Sequence, residues 1–398
     1  MIRHFLKLAW RRKRGNALLI VEILASFLVV FAVATAGVQL ARSYGKPVGF
    51  DYRNVWEISV DRHKSTDDTW SPEETAGFTR LLKEGAGIEG VETIAGASNA
   101  PYDFSTMVGG ITIRGRAVDP EFSEATDAYR DAVRLDVVRG RWFTADDDAS
   151  SWRPIVVNEE MAEIAYPGED PVGKVVPVDG KDEPESRIVG VVSDYRKGGE
   201  LSLSHPFIFR RIPVGDPKVR PPQKLVVRAR PGVDAGFEER LVRGLQQVTP
   251  EWTLEARPLE ASRATSFRMR LAPLLILGLV AAFLLIMVAL GMIGVLWQNV
   301  TRRAREFGLR RAAGASQRDI QSQVLMEITL TAALAVAVGL LLVAQVPLIP
   351  LLGFLSFGTL TAGAVLAIVV VVGLALTAAA YPSWLATRVH PADALRDE

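Results

Sequence analysis

Residues Thr301 to Ile320 read TRRAREFGLRRAAGASQRDI, a strongly basic segment between two apolar runs at 271–299 and 323–346. Each run is long enough to cross a lipid bilayer as a helix. Lys and Arg collect in short loops on the cytoplasmic side of membrane proteins, so the segment predicts a cytoplasmic loop. The orientation of the remaining chain follows from this prediction.

The loop also has a helix-compatible pattern. Its apolar residues recur at roughly helical spacing with arginines between them, which predicts an amphipathic helix with one cationic face: Leu309, Ala312, Ala313 and Ile320. Gly314 is a typical helix stop, and a new helix is expected to begin at Ser316 or Asp319. We therefore expect two short helices joined near Gly314. The alternative is a cluster of charges that serves only membrane topology.

The loop resembles the cytoplasmic loop of the MacB/FtsX-like permeases of ABC transporters. The departures are Phe307, where the family usually has isoleucine, and Ala313, where leucine is common. In that family the loop docks on a separate ATPase and couples it to the membrane helices. The resemblance implies this role for Arg305, Glu306, Phe307, Gly308, Leu309, Arg310, Arg311, Ala312, Gly314, Ala315 and Ser316.

Composition agrees with a chain that lies partly in lipid. The 398 residues have a formal net charge of +1 and no cysteine, and the mean hydropathy is +0.18. A charge near zero gives no general indication of nucleic-acid binding. The basic residues are instead concentrated beside apolar segments, as membrane topology requires.

Residues 1–16 form a basic N-terminus, and residues 17–40 form an apolar run that predicts the first membrane helix. At 1.5 Å per residue the run spans about 36 Å, enough for a hydrocarbon core of about 30 Å with some tilt. The basic flank predicts a cytoplasmic N-terminus. A cleaved signal peptide is the alternative, because residues 34–36 (ATA) resemble a cleavage site. The run is, however, longer than a usual signal core and contains Glu22.

Two carboxylates lie in or beside the predicted membrane helices. A carboxylate at the bilayer centre costs on the order of 2.5–3.5 kcal/mol, so Glu22 should face protein, a basic partner or water. It is either a boundary group paired with an arginine or a group used in subunit packing or gating. Glu327 is either a boundary group satisfied by Arg318 or Arg302, or a relay for movement of the coupling loop.

Residues 41–270 contain no membrane-length apolar run and predict a soluble α+β domain. Because the first helix carries the chain outward, this domain is expected to be extracytoplasmic. A strand, helix and strand pattern occurs near each end of the domain, which predicts a split βαβ core with a second lobe inserted in it. The predicted elements are 55–60, 71–84 and 91–97, and then 224–229, 233–247 and 252–256.

The insert resembles the periplasmic core domain of the same permease family. The resemblance lies in residues 140–143 (GRWF) and 169–174 (EDPVGK). Gly140 and the glycines of the second block allow tight turns, so we interpret both blocks as determinants of the fold. Residues 146–148 (DDD) lack the spaced oxygen ligands of a calcium loop and are expected to form a solvated turn.

After the ectodomain, three more membrane crossings are expected, which place both termini in the cytoplasm. Gly278, Gly291 and Gly294 are candidates for close helix contacts, and residues 391–396 (PADALR) resemble the C-terminus of the family. The predicted segments are helix 271–299, coupling loop 300–322, helix 323–346, outer loop 347–358, helix 359–381 and tail 382–398.

The sequence carries no recognisable catalytic motif. It contains no G-x-x-x-x-G-K-[ST] phosphate-binding loop and no G-x-S-x-G nucleophile turn, and its four histidines are scattered. We therefore expect no catalytic residue, metal site or cofactor in this chain. ATP and Mg²⁺ are expected in a partner ATPase.

These observations and the resemblance predict an α+β extracytoplasmic domain of two lobes, inserted between the first and second helices of a four-helix membrane domain. The implied function is that of an ABC transporter permease that exports or extracts a hydrophobic or peptide-like compound. The expected partners are two ATPase copies, a second permease in a homo- or heterodimer, and a periplasmic adaptor, at the inner membrane of a bacterium. FtsX-like regulation of a cell-wall hydrolase or sensor, and lipoprotein release, remain alternatives.

Overall fold

A computed structural model describes residues 13–63, 70–177, 184–216, 219–349 and 355–386. At 13–18, 299, 300, 304, 308, 311, 312, 381, 382 and 384–386 it describes the backbone alone. Most of the basic N-terminus and of the tail, and part of the outer loop, lie outside the described residues. The chain divides into two compact units, the ectodomain (Ser43–Arg270) and a helical unit formed by the segments on either side of it.

Among the described residues, four long helices each contain a stretch long and apolar enough to cross a membrane: α1, α6, α8 and α9 in the numbering that follows. The α-helices in chain order are α1 (Lys13–Tyr44), α2 (Pro72–Gly85), α3 (Tyr129–Val133), α4 (Glu159–Ala165), α5 (Phe237–Val248), α6 (Leu259–Arg302), α7 (Ala304–Ala312), α8 (Gln317–Val343) and α9 (Phe357–Ala386).

Helix α6 begins at Leu259, well before the apolar run at residue 271. Its 44 residues correspond to a length of about 66 Å, roughly twice the thickness of a hydrocarbon core. The first part, to Arg270, is polar but consists mostly of good helix formers. Hydropathy therefore located the apolar part of this helix and missed its beginning.

Regularly spaced apolar residues form the interior of the helical unit. Residues four apart lie on the same helix face, and each long helix buries one such row. The rows include Leu19, Ile23 and Phe27 on α1, Val288, Met292 and Leu296 on α6, Val324, Ile328 and Ala332 on α8, and Ala367, Val371, Ala375 and Ala379 on α9.

A glycine allows α9 to approach α1 closely. A Cβ atom at Gly363 would lie 2.1 Å from Oγ1 and 2.9 Å from Cα of Thr35. Gly278 and Gly294, which the sequence suggested for such contacts, have no described atom within 4 Å of the same position. No close contact is therefore found for these two within the part of the chain that the structure describes, and glycine is common in membrane helices whether or not a neighbour lies beside it.

The ectodomain is built on one mixed sheet with the strand order β13-β1-β12-β2-β6-β11-β8-β10-β7, to which β3 and β9 add short pairings. The strands are β1 (Val55–Asp61), β2 (Val91–Ala97), β3 (Met107–Val108), β4 (Ile111–Ile113), β5 (Arg116–Val118), β6 (Glu121–Ala125), β7 (Val137–Gly140), β8 (Arg153–Asn158), β9 (Val175–Val176), β10 (Ser186–Val192), β11 (Phe207–Arg211), β12 (Lys224–Ala229) and β13 (Thr253–Pro258).

The predicted split βαβ core is confirmed. Units β1-α2-β2 and β12-α5-β13 interleave their strands, and both helices cover one face of the sheet through a shared apolar cluster. Helix α2 begins with the expected capping box of Ser71 and Glu74, with Pro72 in its first turn. Helix α5 begins at Phe237, later than predicted, because Asp234 accepts a hydrogen bond from the backbone of Gly236 in a turn.

The inserted lobe contains β3 to β11 with α3 and α4. It joins the split βαβ core through one residue pair between β2 and β6, Ala97 and Ala125. Side chains from both lobes nevertheless form one buried cluster that includes Val55, Ala95, Tyr129 and Phe209. The two lobes thus share a core, and the expected fold class is confirmed.

The two family-like blocks stabilise turns of the inserted lobe. Gly140 has a positive φ of 67°, and a Cβ atom there would lie 2.3 Å from the carbonyl oxygen of Val189. In the second block Glu169 pairs with Lys174 and, at 3.0 Å, with Arg114. The interpretation of both blocks as fold determinants therefore has a physical basis in these contacts.

The prediction of a solvated turn at residues 146–148 was wrong for Asp147, whereas Asp146 and Asp148 are exposed. Residues Ala145–Ala149 form a 3₁₀ helix, and Asp147 is buried. Its carboxylate accepts hydrogen bonds from Arg141 at 2.5 and 2.8 Å and from the backbone N–H of Thr144 at 3.0 Å. A row of three aspartates gives no sign of which one turns inward, because that depends on the position of Arg141.

Candidate ATPase-coupling site

The coupling loop consists of α7 and the turn that leads into α8. Gly314 has a φ of 99°, a conformation that favours glycine. The N–H of Ala315 bonds the carbonyl oxygen of Arg310 at 2.9 Å, which is the outer hydrogen bond of a Schellman motif. The helix stop predicted at Gly314 is thus confirmed.

Ser316 begins the second helix as predicted. Its Oγ accepts a hydrogen bond from the N–H of Asp319 at 3.3 Å, and the Asp319 carboxylate accepts one from the N–H of Ser316 at 2.9 Å. This reciprocal pair is a capping box that uses aspartate. The second helix is not short, however, because α8 continues from this cap to Val343.

Helix α7 is attached to the long helices by Phe307, which is 1% exposed. Phe307 belongs to the same apolar cluster as Leu296, Ile320 and Val324. The sequence predicted Leu309 on the apolar face, but Leu309 is 63% exposed. Helical spacing could not choose between Phe307 and Leu309, because the buried side of α7 is decided by its neighbours.

An ion pair makes a second attachment, at Arg303 in the turn between α6 and α7. Nη1 of Arg303 lies 2.8 and 2.9 Å from the two carboxylate oxygens of Glu327 on α8. The arginine side chain is 10% exposed and that of the glutamate 32%. The sequence suggested Arg318 or Arg302 as partners of Glu327, and this was wrong. Nothing in a basic cluster distinguishes Arg303 from its neighbours until α6 and α8 are placed side by side.

Among the side chains of α7 that the structure describes, the exposed ones are charged apart from one leucine. Arg305, Glu306, Leu309 and Arg310 are exposed. Arg310 binds Glu306 at 2.6 Å and also donates a hydrogen bond to Gln323. Of the remaining predicted site residues, Gly308, Arg311 and Ala312 are described by their backbone alone, and Gly314, Ala315 and Ser316 form the turn.

Glu22, the other predicted membrane carboxylate, lies apart from this site on α1. Among the side chains that the structure describes, none forms an ion pair with it, so the arginine partner suggested by the sequence is not found there. Its carboxylate lies against α6, where a Cβ atom at Gly291 would be 2.8 Å from Oε2. Of the three glycines suggested on α6, Gly291 is the one with a close neighbour.

The contacts of Phe307 and Arg303 resist a displacement of α7 relative to the long helices. Removing one partner of a partly buried ion pair leaves an uncompensated charge, and withdrawing Phe307 would expose a large apolar surface. Displacing α7 relative to the ends of α6 and α8 is therefore costly. None of the described residues covers the exposed side of α7, so this side is free for a partner.

Two protein-family models match the chain. The MacB-like periplasmic core domain matches residues 17–243. The FtsX-like permease C-terminal domain matches residues 262–391, which include the whole coupling loop.

Three curated relatives illustrate the similarity. The macrolide export ATP-binding/permease protein MacB of Bartonella quintana is 28% identical over 217 residues, which are 52% of this chain and 32% of that protein. The probable syringafactin export ATP-binding/permease protein SyfD of Pseudomonas syringae is 25% identical over 58% of this chain and 35% of its own length. The uncharacterized ABC transporter permease YknZ of Bacillus subtilis is 22% identical over 76% of this chain and 74% of its own.

The chain thus spans about a third of the length of the first two relatives. Among solved structures, the periplasmic region of MacB from Actinobacillus actinomycetemcomitans superimposes with a TM-score of 0.40 and 15% identity, over 54% of this chain and 93% of that one. The family-model matches cover most of the chain. The chain therefore belongs to the family of permeases that join a MacB-like periplasmic core domain to an FtsX-like permease domain.

Proposed function

We propose that this protein is the permease subunit of an ABC exporter, in which α7 receives the motion of an ATPase. The observation that carries the proposal is the attachment of α7, and of the turn before it, to the long helices: Phe307 is buried in their shared cluster, and Arg303 pairs with Glu327 on α8. The residues on the exposed side of α7 dock on the ATPase. Its closure on ATP displaces α7, and α8 moves with it.

The ATPase is proposed to lie outside these 398 residues. The names of two relatives combine ATP-binding with permease, while that of YknZ, which this chain matches over most of its length, is permease alone. No phosphate-binding loop motif occurs in the sequence. We propose two ATPase copies, which bind the ATP and Mg²⁺, and a second permease beside this one.

The proposed cargo is a hydrophobic or peptide-like compound. Relatives are named for the export of macrolide, syringafactin and pyoverdine, which supports export over a regulatory role. A periplasmic adaptor is part of the proposal. We propose that the protein lies in the bacterial inner membrane, with the ectodomain outside and both termini in the cytoplasm. The arginines at 302–318 favour this orientation, because arginine collects in cytoplasmic loops.

Capture of the ATPase tests the proposal. The chain has no cysteine, so Leu309→Cys introduces a single thiol on the exposed side of α7, and Val214→Cys does so on the ectodomain. Cells that express the tagged full-length protein are treated with a membrane-permeant thiol photocrosslinker, and the products are identified by mass spectrometry. We expect a P-loop ATPase from Leu309→Cys and none from Val214→Cys. If gentle purification and crosslinking both recover no ATPase, the proposal fails.

A charge exchange tests the attachment of α7. Arg303→Glu and Glu327→Arg each place two like charges together at a half-buried position. We expect each to lower the ATP hydrolysis rate of the purified complex about tenfold, which corresponds to about 1.4 kcal/mol. The double variant restores an opposite pair and should recover most of the rate. Equal rates in all four proteins would remove this ion pair from the mechanism.

A further inference from the structure

One loop of the ectodomain binds both segments that lead to the long helices. This junction loop, residues 194–202, connects β10 to β11. The first connecting segment is 43–48, at the end of α1, and the second is 259–270, at the beginning of α6. All three segments belong to the ectodomain unit.

Arg196 binds the first connecting segment. It is 2% exposed, and its backbone N–H donates to the carbonyl oxygen of Val48 at 2.9 Å. A planar guanidinium carries five N–H donors in a fixed fork, which the three donors of lysine cannot reproduce. The guanidinium donates to carbonyl oxygens of the first connecting segment, Ser43 at 2.9 Å, Pro47 at 3.0 Å and Lys46, and of its own loop, Glu200 and Ser202 at 3.1 Å.

The same loop binds the second connecting segment. The carbonyl oxygen of Gly198 accepts hydrogen bonds from Oγ of Ser266 and Nε of Arg270, both at 3.0 Å. The carboxylate of Glu200 accepts one from Nε of Arg263 at 2.6 Å. Positions 263, 266 and 270 lie on one face of a helix, so one face of α6 is bound to the junction loop.

The two connecting segments also touch each other. The rings of Tyr44 and Phe267 lie edge to face with their centroids 6.4 Å apart. This contact is a second link between the end of α1 and the beginning of α6, besides the one through the junction loop.

The junction loop is in turn anchored in the core of the ectodomain. The ring of Tyr195 packs against Phe207 and Phe209 at centroid distances of 4.7 and 4.9 Å, and its hydroxyl lies 3.1 Å from that of Tyr129. The carbonyl oxygen of Lys197 accepts a hydrogen bond from the N–H of Tyr102 at 2.7 Å. The loop is thus continuous with the sheet.

Backbone contacts leave little free space in this region. Gly49 has a φ of 83°, and a Cβ atom there would lie 1.8 Å from the carbonyl oxygen of Asp194. Gly199 has a φ of 89°, and a Cβ atom there would lie 2.5 Å from the ring of Tyr102. Both positions combine a left-handed backbone with close packing.

We infer that the junction loop and the two connecting segments form a joint that stays closed while the permease works. The end of α1 and the beginning of α6 then move as one body with the ectodomain sheet. Opening the joint would leave a buried guanidinium and several carbonyl oxygens without partners, which is costly. The inference rests on the proposed function and names Arg196 as the residue that positions the first connection directly and the second through its hydrogen bond to Glu200 in the junction loop.

Arg196→Lys tests the inference, with Arg228→Lys as its matched control. Arg228 is also 2% exposed, but its guanidinium donates to Asp51, Arg53 and Ala132. Amide hydrogen exchange is measured on the full-length protein in detergent. We expect residues 43–48 to exchange at least about tenfold faster in Arg196→Lys, a factor that corresponds to about 1.4 kcal/mol, and unchanged in Arg228→Lys. Equal exchange rates at residues 43–48 in the two variants would overturn the inference that the joint is closed.

The second measurement uses the complex with its ATPase. In the unmodified protein and in Arg228→Lys, ATP trapping is expected to change the exchange pattern of the ectodomain. In Arg196→Lys this change should be lost while ATP is still hydrolysed, and its survival would overturn the role of Arg196. If no ATPase can be isolated, the proposed function fails, but the exchange at residues 43–48 still decides the joint.

A crosslink tests whether the joint stays closed. Tyr44→Cys and Phe267→Cys are combined in the cysteine-free chain and joined by a short bifunctional maleimide, with the unjoined double variant as control. If the joint never opens, the joined protein retains the ATP-dependent change of the ectodomain. If the crosslinked protein loses that change while the uncrosslinked double variant keeps it, α1 and α6 separate at the joint and the inference is overturned.

Discussion

Asp147 shows how a single buried carboxylate organises a turn of the inserted lobe. It closes the capping box of Thr144 and accepts both ends of the Arg141 fork. Burial alone would raise the pKa of the Asp147 carboxyl, but hydrogen bonds from Arg141 and Thr144 outweigh it and hold this pKa below its ordinary value. The charged form is therefore the one that the fold stabilises.

Asp147→Asn is expected to destabilise the protein by about 1–3 kcal/mol at pH 7, because it leaves Arg141 without its charged partner. A group whose pKa is depressed on folding contributes stability above its unfolded pKa of about 3.9, and this is lost as pH falls further. The melting temperatures of the two proteins should therefore differ by several degrees at pH 7, at about 2–4 °C per kcal/mol, and converge below about pH 4.

Asp146→Asn is the matched control for that prediction, since Asp146 is exposed in the same 3₁₀ helix. Surface substitutions of this kind usually change stability by less than about 0.5 kcal/mol. A melting temperature for Asp146→Asn as low as that for Asp147→Asn would assign the effect to the charge of the segment instead of to the buried pair.

At the scale of elements, the close approach of α9 to α1 depends on a glycine, which has no side chain to separate them. The Cβ position of Gly363 is occupied by Thr35, including its backbone Cα. Thr35 Oγ1 is buried and without a hydrogen-bond partner in the described structure, so the two helices are tightly packed there. Backbone atoms cannot move aside as the end of a flexible side chain can.

Gly363→Ala is expected to lower stability by about 1–3 kcal/mol through overpacking. Gly373→Ala in the same helix, with no described atom within 4 Å of its Cβ position, should be neutral. The temperature at which the purified protein aggregates in detergent compares the two variants. Equal temperatures would show that α1 and α9 have room to separate.

At the scale of the whole molecule, the insertion of the ectodomain between two long helices predicts opposite sides for its surface and for α7. A membrane-impermeant maleimide applied from outside should label Val214→Cys in intact cells and Leu309→Cys only after the membrane is broken. Both residues are exposed, so poor access does not explain a missing signal. The reverse pattern would contradict the proposed topology.

Hydrophobic periodicity and the residues that begin or end helices were enough to predict the fold class, the apolar parts of the four long helices and the helix stop at Gly314. Each of these depends on residues near one another in the chain, such as the Ser71–Glu74 capping box or an apolar run of membrane length. The family-like motif also located the coupling loop, although the roles of its residues remain predictions.

Tertiary structure decided which side chains carry the contacts. Phe307 instead of Leu309 is buried, Arg303 instead of Arg318 or Arg302 binds Glu327, and Asp147 turns inward. The junction loop had no sequence signal, because Arg196 meets partners about 150 residues away in the chain. Such pairings depend on how separate elements pack, and local propensity and spacing contain no information on the distances between them.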